Sequence, residues 1–465
     1  MRRGYEPRAF APMVYDFLCR TPRCALFAKP GVGKTVLTLD FLHALHYTES
    51  APTLILGPKR VAEGVWPDEV QKWEHLKGFD VVPIAGTPTE REAALRKDAP
   101  VYTVSYDNLQ WLRESIARAW PFRTVVADES TRLKSFRTKQ GGARAGALRE
   151  FAHHDVTRWI NLTGTPSPKG LEDLWGQTWF LDAGQRLGTS FSAYEERYFS
   201  WKRAKDAVAK DRYKLQKIVA PHAQEQIHAK LADICLTLDP KDWFDLAEPV
   251  VNVIEVALPP RAMAQYREFE REMFVQLEGG EVEAFNAAGK SIKCLQMANG
   301  AAYIGDSELF ATMHDAKLDA LESLVEESSE PVLCAYHFKS DLIRLRDRFP
   351  DALVLGTKEG MAAAKDGQGR LWLGHPASMG HGVDGLQHHT ATVAFFGHWW
   401  DMELHDQFIE RVGPMRQLQA GKGRVCFIHY IVAKGTVDNV VLQRHRTKAG
   451  VQQLLMDYMK EKKCS

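Results

Sequence analysis

A chain of 465 residues that is 45% hydrophobic and 26% charged has the composition of a soluble globular protein of two to four domains, which excludes a disordered or fibrous chain. Lys plus Arg (60) nearly cancel Asp plus Glu (59), so a wholly basic nucleic-acid coat is excluded and any contact with DNA has to come from local patches. Seven scattered cysteines make no C-x-x-C pair, which points to thiols of a reducing compartment rather than a zinc site or a disulfide framework. The opening MRRGYEPRAFAP has no apolar signal core and no run of about 18 apolar residues occurs, so the expected location is the cytoplasm.

Along the first half, short apolar runs alternate with helical patterns: CALFA (24–28), TLILG (53–57), VVPIAG (81–86), VYTVS (101–105), TVVADE (124–129) and WINLTG (159–164). Apolar strands that end in Gly, Asp or Ser and then enter a helix mark a parallel sheet wrapped by helices. Residues from about 168 to 325 read mostly as helix, with charged stretches such as MAQYREFEREMFVQLE and a break at Pro259 and Pro260 after VVNVIEVAL. A second set of runs follows: PVLCAYHF (331–338), DALVLG (351–356), RLWLGHP (370–376), ATVAFFG (391–397) and RVCFIHYIVA (424–433). The pattern predicts an α/β protein of two parallel-sheet lobes with helical insertions.

AKPGVGKT (28–35) lies between the strand CALF and the helical TVLTLDFLHALH. A strand, a glycine-rich turn and a helix N-terminus aim backbone N–H groups at an anion, with the helix dipole behind them. In that setting Gly31, Val32 and Gly33 cradle phosphates, Lys34 reaches the β- and γ-phosphates of a nucleotide, and Thr35 holds Mg²⁺. Ala28 stands where the generic phosphate loop has its first Gly. TVVADEST then puts Asp128 and Glu129 at the C-terminal end of a buried strand, where parallel sheets carry their active groups. An aspartate there suits Mg²⁺, and the adjacent carboxylate can orient or deprotonate the attacking water. NLTGTP (161–166) follows, a hinge that senses phosphate or a plain turn.

AKPGVGKT, LILGPKRVAEGVWPDEVQKW, VADESTRLKS, LTGTPSPKGLEDLWGQTWFLD, YHFKSDLIRL, HPASMGHGVDGLQ and HWWDMELHDQFIERVGPMRQ follow the order of the superfamily two helicase motifs. Together they resemble the Swi/Snf-type ATPases, especially the short bacteriophage versions, from about residue 10 to residue 450. The resemblance implies two RecA-like lobes with helical protrusions, ATP hydrolysis in a cleft between them, and tracking along duplex DNA without routine strand separation. The corresponding division is 1–168 for the ATP-binding lobe, 169–250 for its protrusion and connection, 251–325 for a linker and second protrusion, and 326–465 for the second lobe.

Carried over residue by residue, Lys34 and Thr35 are the phosphate-loop pair, and Asp128 and Glu129 the Mg²⁺ and water-activating pair. Gly382 and Asp384 lie in the second-lobe motif facing ATP, and Gln407 and Arg411 open the arginine-finger motif. Pro58, Lys59 and Arg60 correspond to the first lobe's contact with the phosphodiester backbone, and His375 and Ser378 to the second's; such groups add affinity without reading sequence. Three departures stand out: Ala11 replaces the glutamine that reads adenine, DEST replaces DEAH or DEGH, and Pro414 replaces a second arginine. Pro414 predicts that the finger helix ends near Val412, leaving Arg416 in a loop as a second positive charge or a plain surface arginine.

The span 197–217 carries eight Lys or Arg against two Asp, with Tyr198, Phe199, Trp201 and Tyr213 among them, and is either a grip on nucleic acid or a solvated face. The C-terminal Lys cluster is a helix end with no assigned role. The functional expectation is a DNA-stimulated ATPase that moves on duplex DNA. The alternatives are an ATP-gated clamp on DNA or protein with little turnover and a strand-separating DNA or RNA helicase. A small-molecule kinase would leave the second lobe unexplained.

Overall fold

The computed structural model of the chain describes residues 2–29, 31–116, 120–138, 146–167, 170–203, 215–278, 291–303, 309–379 and 383–447. It forms two compact units, Met1–Asp245 and Leu246–Ser465. Among the described residues of the first unit the strands are β1 (Arg23–Ala28), β2 (Thr53–Gly57), β3 (Val81–Ile84), β4 (Val101–Ser105), β5 (Thr124–Asp128), β6 (Arg158–Thr163), β7 (Phe199–Arg203), β8 (Leu215–Val219) and β9 (Cys235–Leu238). Seven of them make one sheet in the order β3-β4-β2-β5-β6-β1-β9, parallel throughout.

Every residue of β2, β4, β5 and β6 is buried. Such strands are covered on both faces, which is why they read as unbroken apolar runs. Alternate residues feed two cores: Leu54, Leu56, Val125 and Trp159 enter one with Trp175 and Phe180, while Ile55, Val126 and Ile160 enter the other with Phe10, Leu37 and Trp66. After β1 the chain crosses β6 and β5 to place β2, whereas β5 leads to β6 and β6 onward to β9 on the far side of β1. The connections from the neighbours β1 and β6 thus run in opposite directions. A crevice outside the carboxyl ends of β1, β6 and β5 follows from that reversal, and ligands of open α/β sheets bind at such points.

The second unit contains β10 (Val250–Val256), β11 (Ala301–Tyr303), β12 (Phe310–Thr312), β13 (Val332–Ala335), β14 (Leu353–Val354), β15 (Leu371–Gly374), β16 (Thr392–Phe395) and β17 (Phe427–Ala433). Its main sheet runs β10-β17-β16-β13-β15-β14, again parallel. Both units are therefore α/β layers of the RecA-like kind, as the sequence predicts.

The stretch 168–325 differs from its helical expectation. β7 and β8 pair antiparallel, β9 adds to the first sheet beside β1, and β10 pairs with β17 from Val250↔Phe427 to Val256↔Ala433. The segments 169–250 and 251–325, expected as protrusions, thus each lend a strand to a main sheet. Val250, Val251, Val253 and Val256 are β-branched residues that favour a pleated surface, a signal outweighed at the sequence level by the charged helix that follows. That helix is Pro260–Glu278, and Pro260 starts it where a missing N–H costs nothing. The described cysteines are free thiols, and no described helix is long and apolar enough to cross a membrane.

Candidate active site

β1 ends at Ala28, and the helix Lys34–His46 begins just beyond the glycine turn. Gly31 and Gly33 both have φ of 85°, in the left-handed region. A side chain at Gly33 would be strained there and would also bring its Cβ to 3.3 Å from Val36 Cγ1. No side chain caps this helix, so its first turn presents backbone to the crevice. Val32 is buried in the core and anchors the loop, leaving its backbone to face a ligand. Lys34 Nζ donates to Ala28 O at 2.6 Å and to Lys29 O at 3.4 Å, which folds the ammonium over the end of β1.

At the end of β5 the Asp128 carboxylate accepts from Trp66 Nε1 at 3.0 Å and from the Glu129 amide at 3.1 Å. Tyr106 donates its hydroxyl to Asp128 O at 2.9 Å. Burial pushes the Asp128 carboxyl well above its ordinary range, the Glu129 carboxylate adds to that rise, and the Lys34 ammonium opposes it. The same electrostatics show that Lys34, Asp128 and Glu129 share one neighbourhood although some ninety residues separate loop and strand end. Glu129 itself sits at φ 53°, uncommon for a residue with a side chain and a feature that clusters at active sites.

The hydroxyl of Thr163, at the end of β6, donates to Glu129 Oε2 across a long 3.5 Å and accepts from the Thr165 amide at 3.2 Å. Gln177, on the helix Glu172–Asp182, ties this turn to the acidic one. Its Oε1 accepts from Ser130 Oγ at 2.8 Å and its Nε2 donates to Pro166 O at 2.7 Å. Gly176 lets that helix approach, since a Cβ there would lie 2.6 Å from Leu133 O. The neighbouring carboxylates of Asp128 and Glu129, the former raised by burial, make an oxygen-rich place, and Thr35 is the second residue of the helix that follows the loop. Such a place fits a hard divalent cation such as Mg²⁺.

In the second unit, Gly382 lies outside the described residues. Asp384 accepts from Arg416 Nη1 at 2.6 Å, from Gln387 Nε2 at 2.8 Å and from the Gly385 amide at 3.0 Å. Arg411 is buried, with Nε on Gln407 O at 2.9 Å and Nη1 on Val383 O at 3.1 Å. Gln407 is buried as well and donates to Glu403 at 3.3 Å. The finger helix is Met402–Ile409, shorter than expected, and Gly413 is extended as a residue before proline should be. The expected loop at Arg416 is corrected: Pro414 starts a second helix, Pro414–Gln419, and Arg416 lies within it.

Of the expected DNA contacts, Lys59 and Arg60 are exposed just beyond β2, with Pro58 half-buried. His375 Nε2 is 3.1 Å from His337 O, and Ser378 donates to His375 O at 2.8 Å within the short turn Pro376–Met379. In the basic span, Tyr198 and Phe199 are core residues and Trp201 is exposed, while 204–214 lie outside the described residues. Lys217 is held by Glu172 at 2.7 Å and by Glu195. The C-terminal Lys cluster also lies outside the described residues. Sequence reasoning missed Trp66, Tyr106 and Gln177; the first and last stand inside the resembling stretches GVWPDEVQKW and DLWGQTWFLD, but only folding shows what they hold.

The family model described as SNF2-related domain matches residues 13–300. Protein p41 of Acyrthosiphon pisum secondary endosymbiont phage 1 is 47% identical over 465 residues, covering 99% of this chain and 100% of that protein. The DNA annealing helicase and endonuclease ZRANB3 of Mus musculus is 25% identical over 96% of this chain and 40% of its own length. The ATP-dependent DNA helicase DDM1 of Arabidopsis thaliana is 27% identical over 37% of this chain and 22% of its own length. The chain thus spans the whole of its phage relative and less than half of these two eukaryotic ones. With a phosphate loop and an acidic strand end meeting at the reversal of a parallel sheet, the chain belongs to the SNF2 family of ATP-driven motors in helicase superfamily two.

Proposed function

We propose that the chain hydrolyses ATP while tracking along double-stranded DNA, in the cytoplasm. The observation that carries the chemical part is the shared electrostatic neighbourhood of Lys34, Asp128 and Glu129 at the ends of β1 and β5. Backbone N–H groups of Gly31, Val32 and Gly33 bind the phosphates, and the Lys34 ammonium leaves Ala28 O to offset charge on the transferring phosphoryl group. Thr35 and Asp128 would hold Mg²⁺, which would supply positive charge to screen the phosphates. Glu129, aimed by its left-handed backbone, takes the proton of the attacking water. The new O–P bond forms as the bond from the γ-phosphorus to the bridging oxygen breaks, leaving ADP and phosphate. In the second unit the resemblance gives Gly382 and Asp384 to the motif facing ATP, and Gln407 and Arg411 to the arginine-finger motif, with Arg411 supplying the positive charge.

The DNA part is supported by the relatives, a DNA helicase and a DNA annealing helicase. Exposed Lys59 and Arg60, with Pro58, His375 and Ser378, suit a backbone track that is indifferent to sequence. Steady-state ATP turnover measured with duplex DNA, single-stranded DNA and RNA tests the reading. Duplex DNA should stimulate most, with an affinity that falls steeply as salt rises. Stimulation by single strands alone would overturn the duplex track.

A further inference from the structure

The flank of the phosphate loop away from the carboxylates carries a cluster with no role so far. Arg8 Nη1 donates to Gly31 O at 3.3 Å, and its Nη2 lies 3.8 Å from where a Cβ on Gly33 would stand. The Arg8 guanidinium carbon sits 5.7 Å from the centre of the Phe244 ring. Phe10, fully buried, meets Trp243 edge-on at 5.7 Å and Phe244 at 6.0 Å. Trp243 is 39% exposed, so a large aromatic surface stays open beside the loop.

These groups are fixed from both ends. The Ala11 amide donates to Arg8 O at 2.8 Å, closing the turn into the first helix. Lys29, at the entry of the phosphate loop, pairs with Asp239 at 2.6 Å, and the amides of Trp243 and Phe244 donate to Pro240 O at 3.1 and 2.9 Å. The segment 239–244 is therefore tied to the loop it flanks. Ala11, at the place of the adenine-reading glutamine, is fully buried and carries no polar side-chain atom, so its side chain reads no base edge.

We propose that Arg8, Trp243 and Phe244 form the base-side platform of the nucleotide site, and that the platform grips by stacking, making the chain a base-tolerant nucleoside triphosphatase. This rests on the phosphate-loop assignment above. The γ-phosphate end of a bound nucleotide faces Asp128 and Glu129, so the sugar and base extend toward the opposite flank, where the guanidinium and ring faces lie. Stacking discriminates little because every base has a π-face, whereas selectivity of many orders of magnitude needs hydrogen bonds to a base edge.

The test is steady-state hydrolysis of ATP, GTP, CTP and UTP by the full chain with Mg²⁺ and duplex DNA. The four kcat/KM values should lie within about tenfold of one another. Phe244→Leu and Trp243→Leu keep apolar volume without a π-face and should raise KM for all four alike, by about tenfold. Arg8→Lys should act in the same direction, because an ammonium has no flat face. Phe244→Tyr should restore wild-type KM, which separates loss of stacking from loss of fold. A preference for ATP over UTP beyond about a hundredfold overturns the platform, as does wild-type KM in both leucine variants. Lys34→Ala distinguishes the two levels: if turnover survives in it, the phosphate-loop reading falls and the platform with it. If turnover is lost there but the nucleotide pattern fails, the platform alone is wrong.

Discussion

In the first unit, Asp128 and Glu129 stand together at one strand end with the Lys34 ammonium in electrostatic reach, and burial holds Asp128 above the usual carboxylate range. The second unit pairs several of its charges internally, although burial raises its Asp341 carboxyl as well. Lys317 meets Asp438 at 2.6 Å with both side chains fully buried, Arg344 meets Asp315 at 2.9 Å, and Arg416 meets Asp384 at 2.6 Å. A raised carboxylate is a standing penalty that a bound cation relieves, whereas a matched pair is complete without a ligand and holds its elements in one arrangement. The first unit thus carries a disfavoured charge at its candidate site, whereas these pairs of the second unit are fixed frames.

The largest effect should come from the group placed to take the proton. Glu129→Gln keeps the shape and removes the base, so turnover should fall by about a hundredfold to ten-thousandfold with nucleotide still bound. Single-turnover hydrolysis beside a binding titration checks it; loss of binding instead of hydrolysis would make Glu129 structural.

Arg411→Ala should cost on the order of a thousandfold in turnover with nucleotide binding largely kept. Arg416→Ala should cost measurably less, since Arg416 is already committed to Asp384. Equal losses in the two variants would erase the distinction between a reacting arginine and a framing one.

The comparison also predicts opposite stability changes in the two units. Lys317→Met leaves Asp438 buried without its cation and should destabilise by about 3–5 kcal/mol, with much of the loss recovered on adding Asp438→Leu. Denaturant unfolding of the single and double variants measures this.

Smallest is Asp128→Asn, which should stabilise the Mg²⁺-free protein by roughly 0.5–2 kcal/mol, because it removes a disfavoured charge from the site. A carboxyl with a raised folded-state pKa lends stability below its ordinary value of about 4 and loses it as pH rises. The gain should accordingly be greatest at mildly alkaline pH and shrink toward pH of about 4. Thermal unfolding in a chelator across that range reads it, and a gain that grows on acidification would reverse the sign of the proposed strain.

The parts of the site legible beforehand are those with short-range physical signatures. Gly31 and Gly33 take left-handed angles next to a helix start, and unbroken apolar runs ending in Asp128 or Thr163 mark buried parallel strands. Pro414 carried its meaning locally too, but two local rules competed there. Proline ends one helix and also starts another, and the structure chose both, with one helix closing at Ile409 and the next opening at Pro414.

The amino-acid sequence alone determined the two-lobed α/β plan, the phosphate loop and the acidic pair, because periodicity, glycine placement and strand-end carboxylates depend on neighbours in the chain. Tertiary structure alone decided that Trp66 and Tyr106 brace Asp128, that Gln177 bolts the acidic turn to the Thr163 turn, and that Arg8 meets Phe244 beside the loop. It also decided that VVNVIEV joins β17 as an edge strand. Each of these is a contact between segments far apart in sequence, set by which surfaces the folded sheet brings together, and no local propensity encodes that partner.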